Sequence, residues 1–328
     1  MRAWRVSGHG EPGDVLGLAE VELPEPGPGQ IRMRVAAAGI GLPDVLMCRG
    51  SYPLTPAVPF TPGQEAVGVV TAVAEGVDIA VGAEVMAVTA FPTGHGAFAE
   101  ECLAYAGSTF ARPPGLDDAA AAGFWIPHLT GWLGLVTRGQ VAPGEWLVVL
   151  GAAGGTGMAA VQLGRALGAR VIAVAGGSER TRFCRELGAD AVIDHREGPL
   201  APALRELTGG RGVDAIYDPV GGTAAEDAAG ALARGGRLLA VGFASGAWAE
   251  VPTARLVMAN ASVVGVYAGG IPRHELDFLH ERLCALVAQG KLGGAVGSVR
   301  RFEELPDALE QLGGRRVVGK HVLRGCDG

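Results

Sequence analysis

Four glycines fall within seven residues, Gly151, Gly154, Gly155 and Gly157 in GAAGGTG, between the apolar run WLVVL (146–150) and the helical pattern MAAVQLGRAL (158–167). Glycine accepts φ > 0 in a tight turn and lets backbone amides approach a ligand closely. A helix N-terminus adds unpaired N–H donors and a partial positive charge. The combination suits a pyrophosphate. The segment fits the dinucleotide template in two registers, Gly155-x-Gly157-x-x-Ala160 and Ala152-x-Gly154-x-x-Gly157. Such a match is weak alone. Between a buried strand and a helix, inside a βαβ unit of about 30 residues, it becomes specific. Ala152, Gly154, Gly155, Thr156, Gly157 and Met158 are therefore the candidate phosphate-loop residues.

The next apolar run, RVIAVA, ends in Gly176, Gly177 and Ser178. A site for NAD wants a carboxylate about 20 residues beyond the glycines, to hold the ribose 2′-hydroxyl. No acid follows the run directly; Ser178, Arg180 and Arg182 do. A small opening beside a guanidinium suits a 2′-phosphate. A solvated helix face is an equally good account of either arginine taken alone. The missing acid tips the reading to NADPH, with Gly177, Ser178 and Arg180 as contacts.

The elements that must position these residues alternate. Strands are expected at 146–150, 170–175, 191–193, 213–217, 237–241 and 263–267, with helices at 158–167 and at 178–187, the latter capped by Ser178. Near-continuous apolar strands alternating with helices make a parallel sheet covered on both faces. Before residue 110 the texture differs. RAWRV, IRMRVAAAGI, EAVGVVTAV, EVMAV and FAEECLAY read as strands, cut by PEPGPGQ, SYPLTPAVPFTPG and AFPTGHG. After residue 270 come helices at 275–289 and 306–312 and a last strand, GKHVLR, too little to form a core of its own. The expected organisation is α/β: a doubly wound parallel sheet over 123–270, and a mainly-β domain built from 1–122 and 271–328.

Composition narrows the function. The net charge of −7 disfavours an electrostatic nucleic-acid binder. No apolar run is long enough to span a bilayer, so no membrane role is expected. Five scattered cysteines without a C-x-x-C pair fit a reducing cytoplasm. The chain has no Tyr-x-x-x-Lys, since its only lysines are Lys291 and Lys320, and no G-x-S-x-G elbow. His280 and Cys284 share a helix face but suggest a polar contact and a core thiol rather than a metal site.

Several segments together resemble the medium-chain dehydrogenase/reductase superfamily, in its zinc-free quinone oxidoreductase (zeta-crystallin-like) branch. They are RVAAAGIGLPDVLMCRGSYP, PFTPGQEAVGVV, HLTGWLGL, VLGAAGGTGMAAVQLGRALGARVIA, RELGADAVIDHR, LTGGRGVDAIYDPVGG, GGRLLAVGF and GKHVL. The resemblance implies a GroES-like catalytic domain from both termini around a Rossmann domain. Zinc-dependent relatives carry Cys where this chain has Gly41 and His where it has Gln64, so no metal is expected. Without a Lewis acid, worth several kcal/mol against developing alkoxide charge, the acceptor should already be electrophilic, as quinones and α,β-unsaturated carbonyls are.

The same resemblance implies that Tyr52 stands at the substrate site, although a packed loop tyrosine is an equal reading. It implies Gln64 as a polar substrate residue, Thr130 beside the nicotinamide, Val241, Gly242 and Phe243 lining it, and Gly319 closing over it. His195 falls where relatives place a residue near the 2′-phosphate; an exposed strand-end histidine is the competing account. Relatives often carry Asn at the position of Gly41 and Tyr at that of Leu46, so the pocket here is more apolar or differently shaped. An enoyl-thioester reductase is the nearest alternative, and a non-catalytic zeta-crystallin-like binding protein a more distant one. A homodimer paired through SVVGVY (262–267) is expected, because that apolar edge strand needs cover.

Overall fold

A computed structural model describes residues 1–294 and 296–326. The chain forms two compact units. The terminal unit comprises residues 1–126, 272–288 and 293–328, and the central unit residues 127–271 and 289–292.

In chain order the strands are β1 (Arg2–Val6), β2 (Leu16–Glu20), β3 (Gln30–Ile40), β4 (Glu65–Val73), β5 (Glu84–Thr89), β6 (Glu101–Ala111), β7 (Trp146–Leu150), β8 (Arg170–Ala175), β9 (Ala191–Asp194), β10 (Val213–Asp218), β11 (Leu232–Ala240), β12 (Ser262–Gly265), β13 (Val296–Arg300) and β14 (Lys320–Arg324). The central unit holds one sheet in the order β12-β11-β10-β7-β8-β9, with every pair parallel. This is the doubly wound Rossmann order, and its connections reverse between β7 and β10. Leu147, Val148 and Val149 are fully buried, as a strand covered on both faces requires.

The helix Gly155–Ala166 begins three residues earlier than its apolar periodicity suggests, because Gly154 takes the N-cap position. Its inner face buries Met158, Ala159, Ala160, Val161 and Leu163. Gly164 lets it lie close on the sheet: a β-carbon there would sit 2.6 Å from Leu147 Cδ2. The following helix, Ser178–Glu186, also corrects the sequence reading. Gly177, at φ 89°, is the N-cap, and Ser178 is the first helical residue with no capping role.

The terminal unit is mainly β. Its larger sheet runs β13-β14-β3-β4-β5-β6, and a further β3–β6 pairing closes β3 through β6 on themselves. All pairings are antiparallel except β13 with β14. Ile31, Met33, Phe60, Phe98 and Leu309 are among its fully buried core residues. Strands β2 and β13 were not anticipated from sequence. Both architectures agree with the α/β Rossmann plus GroES-like expectation.

Candidate active site

The glycine loop follows β7 at the point where the strand order reverses, the place where open parallel sheets bind ligands. Gly151 turns at φ 59°, and its carbonyl accepts from Gly154 N at 2.9 Å. A β-carbon at Gly157 would run into that same carbonyl, so only glycine fits there. The first helical bond runs from Met158 N to Gly154 O at 2.8 Å, which leaves the amides of Gly155, Thr156 and Gly157 ahead of the helical ladder. Among the described residues, no side chain caps this end. The dinucleotide template therefore fits in fact as well as in sequence: a narrow turn, amide donors and an uncapped dipole. Two loop residues face inward. Ala152 is buried with its amide on Val174 O at 3.1 Å, and Met158 is buried in the core.

Beyond β8, basic groups gather over the Gly176–Gly177 backbone. Arg180 Nη1 donates to Gly176 O at 3.0 Å. A β-carbon on Gly176 would meet His195 Nε2 at 2.6 Å and Arg196 Nε at 3.0 Å, and one on Gly177 would meet Arg196 Nη1 at 2.9 Å. Arg182, by contrast, is exposed and pairs with Glu186 at 3.7 Å. No carboxylate stands at the end of β8, as the sequence reading has it; the acid at this turn comes from the next strand. Asp194, at the end of β9, accepts from Gly177 N at 2.8 Å and Arg196 N at 3.0 Å. The Arg196 amide first, then that of Gly177, hold its carboxyl below the usual range. Its charge thus fixes the turn rather than standing open. Arg196 was missed as well; the signal was a basic pair, His195-Arg196, directly after the third strand.

On the other side of the reversal, Asp218 ends β10 and is buried. Burial pushes its carboxyl up, and the amides of Gly221 and Val220, at 2.7 and 2.9 Å, oppose that shift. Its carbonyl accepts from Val241 N at 2.9 Å and Gly242 N at 3.2 Å, so the segment Val241, Gly242 and Phe243 is laid beside this turn. Thr130 lies on the helix Trp125–Trp132 and is half-buried. His195 donates its amide to Ala175 O at 3.1 Å.

The terminal unit carries a second polar group of residues, all buried. Gly41 N-caps the short helix Leu42–Cys48, and Asp44 reaches back to its amide at 2.8 Å. The other Asp44 oxygen accepts from Gly63 N at 3.1 Å. Burial pushes the Asp44 carboxyl up to about 7, against those two amides and the nearby Lys320 charge. Lys320 Nζ pairs with Glu65 at 2.7 Å, and the second Glu65 oxygen accepts from Ile126 N at 2.9 Å. A β-carbon on Gly41 would lie 4.0 Å from Lys320 Nζ. Next to Glu65, the Gln64 side-chain amide nitrogen is buried without a hydrogen-bond partner among the described residues. Asp44, Glu65 and Lys320 were not foreseen; a lysine inside the apolar strand KHVLR, in a chain with only Lys291 besides, was the available signal.

Tyr52 packs its half-buried ring 6.5 Å from Phe91, on the edge of the core. Gly319 is buried at φ 70°, immediately before β14. His280 stacks on Phe110 with centroids 4.9 Å apart and lies 3.0 Å from Ala111 O. Cys284 is 3.4 Å from His280 Nε2 and half-buried rather than a core thiol. Among the described residues, no group of three or more His, Cys, Asp or Glu side chains could hold a metal. Position 41 has no side chain to offer, and Asp44 and Glu65 are engaged by amides and by Lys320.

Two family models match the chain. The alcohol dehydrogenase GroES-like domain covers residues 27–150, and the zinc-binding dehydrogenase domain covers residues 155–283. Quinone oxidoreductase-like protein 2 of Rattus norvegicus is 31% identical over 315 residues, 94% of this chain and 88% of that protein. The Escherichia coli quinone oxidoreductase structure complexed with NADPH superposes with a TM-score of 0.89 at 28% identity, covering 99% of this chain and all (100%) of that one. A 37% identity over 317 residues extends to a phenolphthiocerol/phthiocerol polyketide synthase of Mycobacterium tuberculosis, covering 94% of this chain but 14% of that protein. On fold, strand order and relatives, the chain belongs to the medium-chain dehydrogenase/reductase superfamily of oxidoreductases, as a quinone oxidoreductase-like member.

Proposed function

We propose that the protein transfers hydride from NADPH to a quinone or an α,β-unsaturated carbonyl, without zinc. The observation that carries the reading is the uncapped helix N-terminus behind Gly151–Gly157, at the reversal of the sheet. The choice of NADPH is supported by Arg180, His195 and Arg196 over the Gly176–Gly177 backbone, with Asp194 tied to the amides of Gly177 and Arg196. Bound there, the reduced nicotinamide would supply a hydride, and with one further proton the acceptor gains two electrons and two protons in all. In this reading Ala152, Gly154, Gly155, Thr156, Gly157 and Met158 shape or line the pyrophosphate cradle, and Gly177, Ser178, Arg180 and His195 the ribose phosphate site. Thr130, Val241, Gly242, Phe243 and Gly319 position the nicotinamide.

The residues on the acceptor side are Gln64 and Tyr52. A buried amide left unpaired costs about 1–3 kcal/mol. The Gln64 nitrogen is such a donor, and it suits an oxygen on which negative charge develops. Tyr52 offers a phenol for the proton. Gly41 and Gln64 cannot complete a zinc site, so an acceptor that delocalises charge by conjugation is the consistent substrate. Oxidation of NADPH should be measured against quinones, 2-alkenals and enoyl-CoA thioesters. Turnover with the first two classes is expected; none with any quinone or enone would reject the reading. The match to a polyketide synthase favours a second reading, reduction of an enoyl thioester, which the third class of acceptor tests.

The assembly proposed is a homodimer through β12. That strand pairs with β11 on one side only, and Val263 on it and Tyr267 just past it are exposed. It ends at Gly265, two residues short of the run read from sequence. A monomer mass by light scattering at micromolar concentration would reject this. Cys48, Cys102, Cys184 and Cys284 are free thiols, which supports a reducing compartment, and among the described residues no helix is long and apolar enough to cross a membrane.

A further inference from the structure

The central unit carries a cleft that coenzyme binding does not use. Its volume is about 240 Å³, and its lining includes Leu232, the first residue of β11, and Ala261, the residue before β12. The sheet is parallel, so the cleft lies at the amino ends of its strands, whereas the glycine loop follows the carboxyl end of β7. Every residue that lines it belongs to the central unit. The phosphates of a coenzyme held at the glycine loop therefore do not occupy it.

Two guanidinium groups converge on one glycine of this cleft. Arg205, in the last turn of the helix Leu200–Leu207, donates from Nη2 to Gly230 O at 2.5 Å. Arg255, on the helix Thr253–Ala259, donates from Nη1 to Glu226 O at 3.1 Å, and a β-carbon on Gly230 would lie 3.6 Å from that same nitrogen. A guanidinium carries five N–H donors. Each arginine here commits one of them, to a neutral carbonyl, and among the described residues neither forms an ion pair. The helix Gly222–Ala229 ends at Gly230 and brings about half a negative charge. Against two full positive charges, more than one is left uncompensated, and like charges side by side repel. Apart from the two arginines the lining is wholly apolar. Leu232 is buried, and Leu256 and Met258 come from Thr253–Ala259, a helix that buries none of its own residues. Met258 is 83% exposed, and its unbranched side chain adapts readily to an apolar partner.

We propose that this cleft binds an amphipathic anion, with an oxyanion head on Arg205 and Arg255 and a short aliphatic tail against Leu232, Leu256 and Met258. The planar fork of arginine matches a carboxylate or a phosphate, and the tail gains by removing apolar surface from water. A neutral alcohol of the same length leaves the guanidinium groups without a counter-charge, and an anion without a tail leaves the apolar lining wet. The proposal concerns a second site and does not rest on the hydride acceptor.

The test is calorimetric titration of the full chain with sodium octanoate, n-octyl phosphate, 1-octanol and sodium acetate, each without and with saturating NADPH. One octanoate or octyl phosphate should bind per chain, and 1-octanol and acetate at least about tenfold more weakly. Arg255→Gln should weaken the octyl anions about tenfold, the scale of one charge-assisted bond. Met258→Ser should weaken them about threefold, the scale of part of one apolar side chain. The melting temperature of both variants should match wild type, and their NADPH affinity should be unchanged. Tighter binding of octyl phosphate or of octanoate identifies the head as phosphate or carboxylate, and either supports the site. Equal affinity for octanoate and 1-octanol, an affinity unmoved by Arg255→Gln, displacement of the octyl anions by NADPH, or no binding of either anion would each overturn the proposal. Should NADPH itself fail to bind, the proposed function fails, and the titrations without coenzyme still decide the second site.

Discussion

The cradle of the central unit and the buried polar group of the terminal unit are made in opposite ways. The cradle is almost all backbone. Its amides, its turn at Gly151 and its close approach at Gly157 come from one stretch of chain, and side chains enter chiefly at Arg180, His195 and Arg196. The polar group is almost all side chain, and Asp44, Gln64, Glu65 and Lys320 reach it from distant parts of the sequence. A backbone site tolerates no added atom, whereas a side-chain site tolerates no lost charge. The two regions should therefore fail differently when altered.

The largest effect is expected at Gly157. A valine there must displace the Gly151 carbonyl that shapes the turn. Gly157→Val should weaken NADPH more than a hundredfold in a fluorescence titration, the loss of two or more charge-assisted bonds at about 1.5–3 kcal/mol each. Affinity within tenfold of wild type would show that the loop is not a cradle.

Breaking the ion pair should act on stability instead. Lys320→Ala leaves Glu65 buried and uncompensated, which costs about 3–5 kcal/mol in chemical denaturation. Replacing Glu65 and Lys320 together by methionines should be far milder. Equal losses in the single and double variants would mean that the pair is not what the site depends on.

An intermediate effect separates coenzymes. Arg196→Ala should lower NADPH affinity about tenfold and leave NADH unchanged, since one charge-assisted contact to the 2′-phosphate is lost. Parallel losses for both coenzymes would remove Arg196 from the phosphate site.

The last effect is in pH dependence. The Asp44 carboxyl is raised from 3.8 to about 7 by burial, so between those values the folded state binds the proton that the unfolded chain has released. Stability then falls as pH rises through that window, by at most about 1.4 kcal/mol per unit, and flattens above it. Asp44→Asn should flatten the difference across pH 5–8. An identical slope in wild type and variant would contradict the burial argument.

The contrast between the regions also governs what could be read in advance. The glycine turn, the β7–β8 order and five of the first-half strands were legible because each signal is local: glycine spacing, apolar runs, turn residues. Leu16–Glu20 and Val296–Arg300 were missed, since LGLAE and VGSVR are short and mixed in polarity, and both take their place from partners far along the chain. Asp44 was missed because its partners are the Gly41 and Gly63 amides, which no pattern of residue types reveals. Asp194 escaped because the acid beside the Gly177 turn arrives from the next strand rather than from the end of β8.

The central claim is that the amides ahead of the helix Gly155–Ala166 hold the coenzyme pyrophosphate. Amide hydrogen exchange measured with and without saturating NADPH tests it most directly. The account predicts new protection concentrated at 151–157, with a second patch at 176–180 and 195–196. Exchange at 151–157 that is unchanged by saturating coenzyme would contradict it.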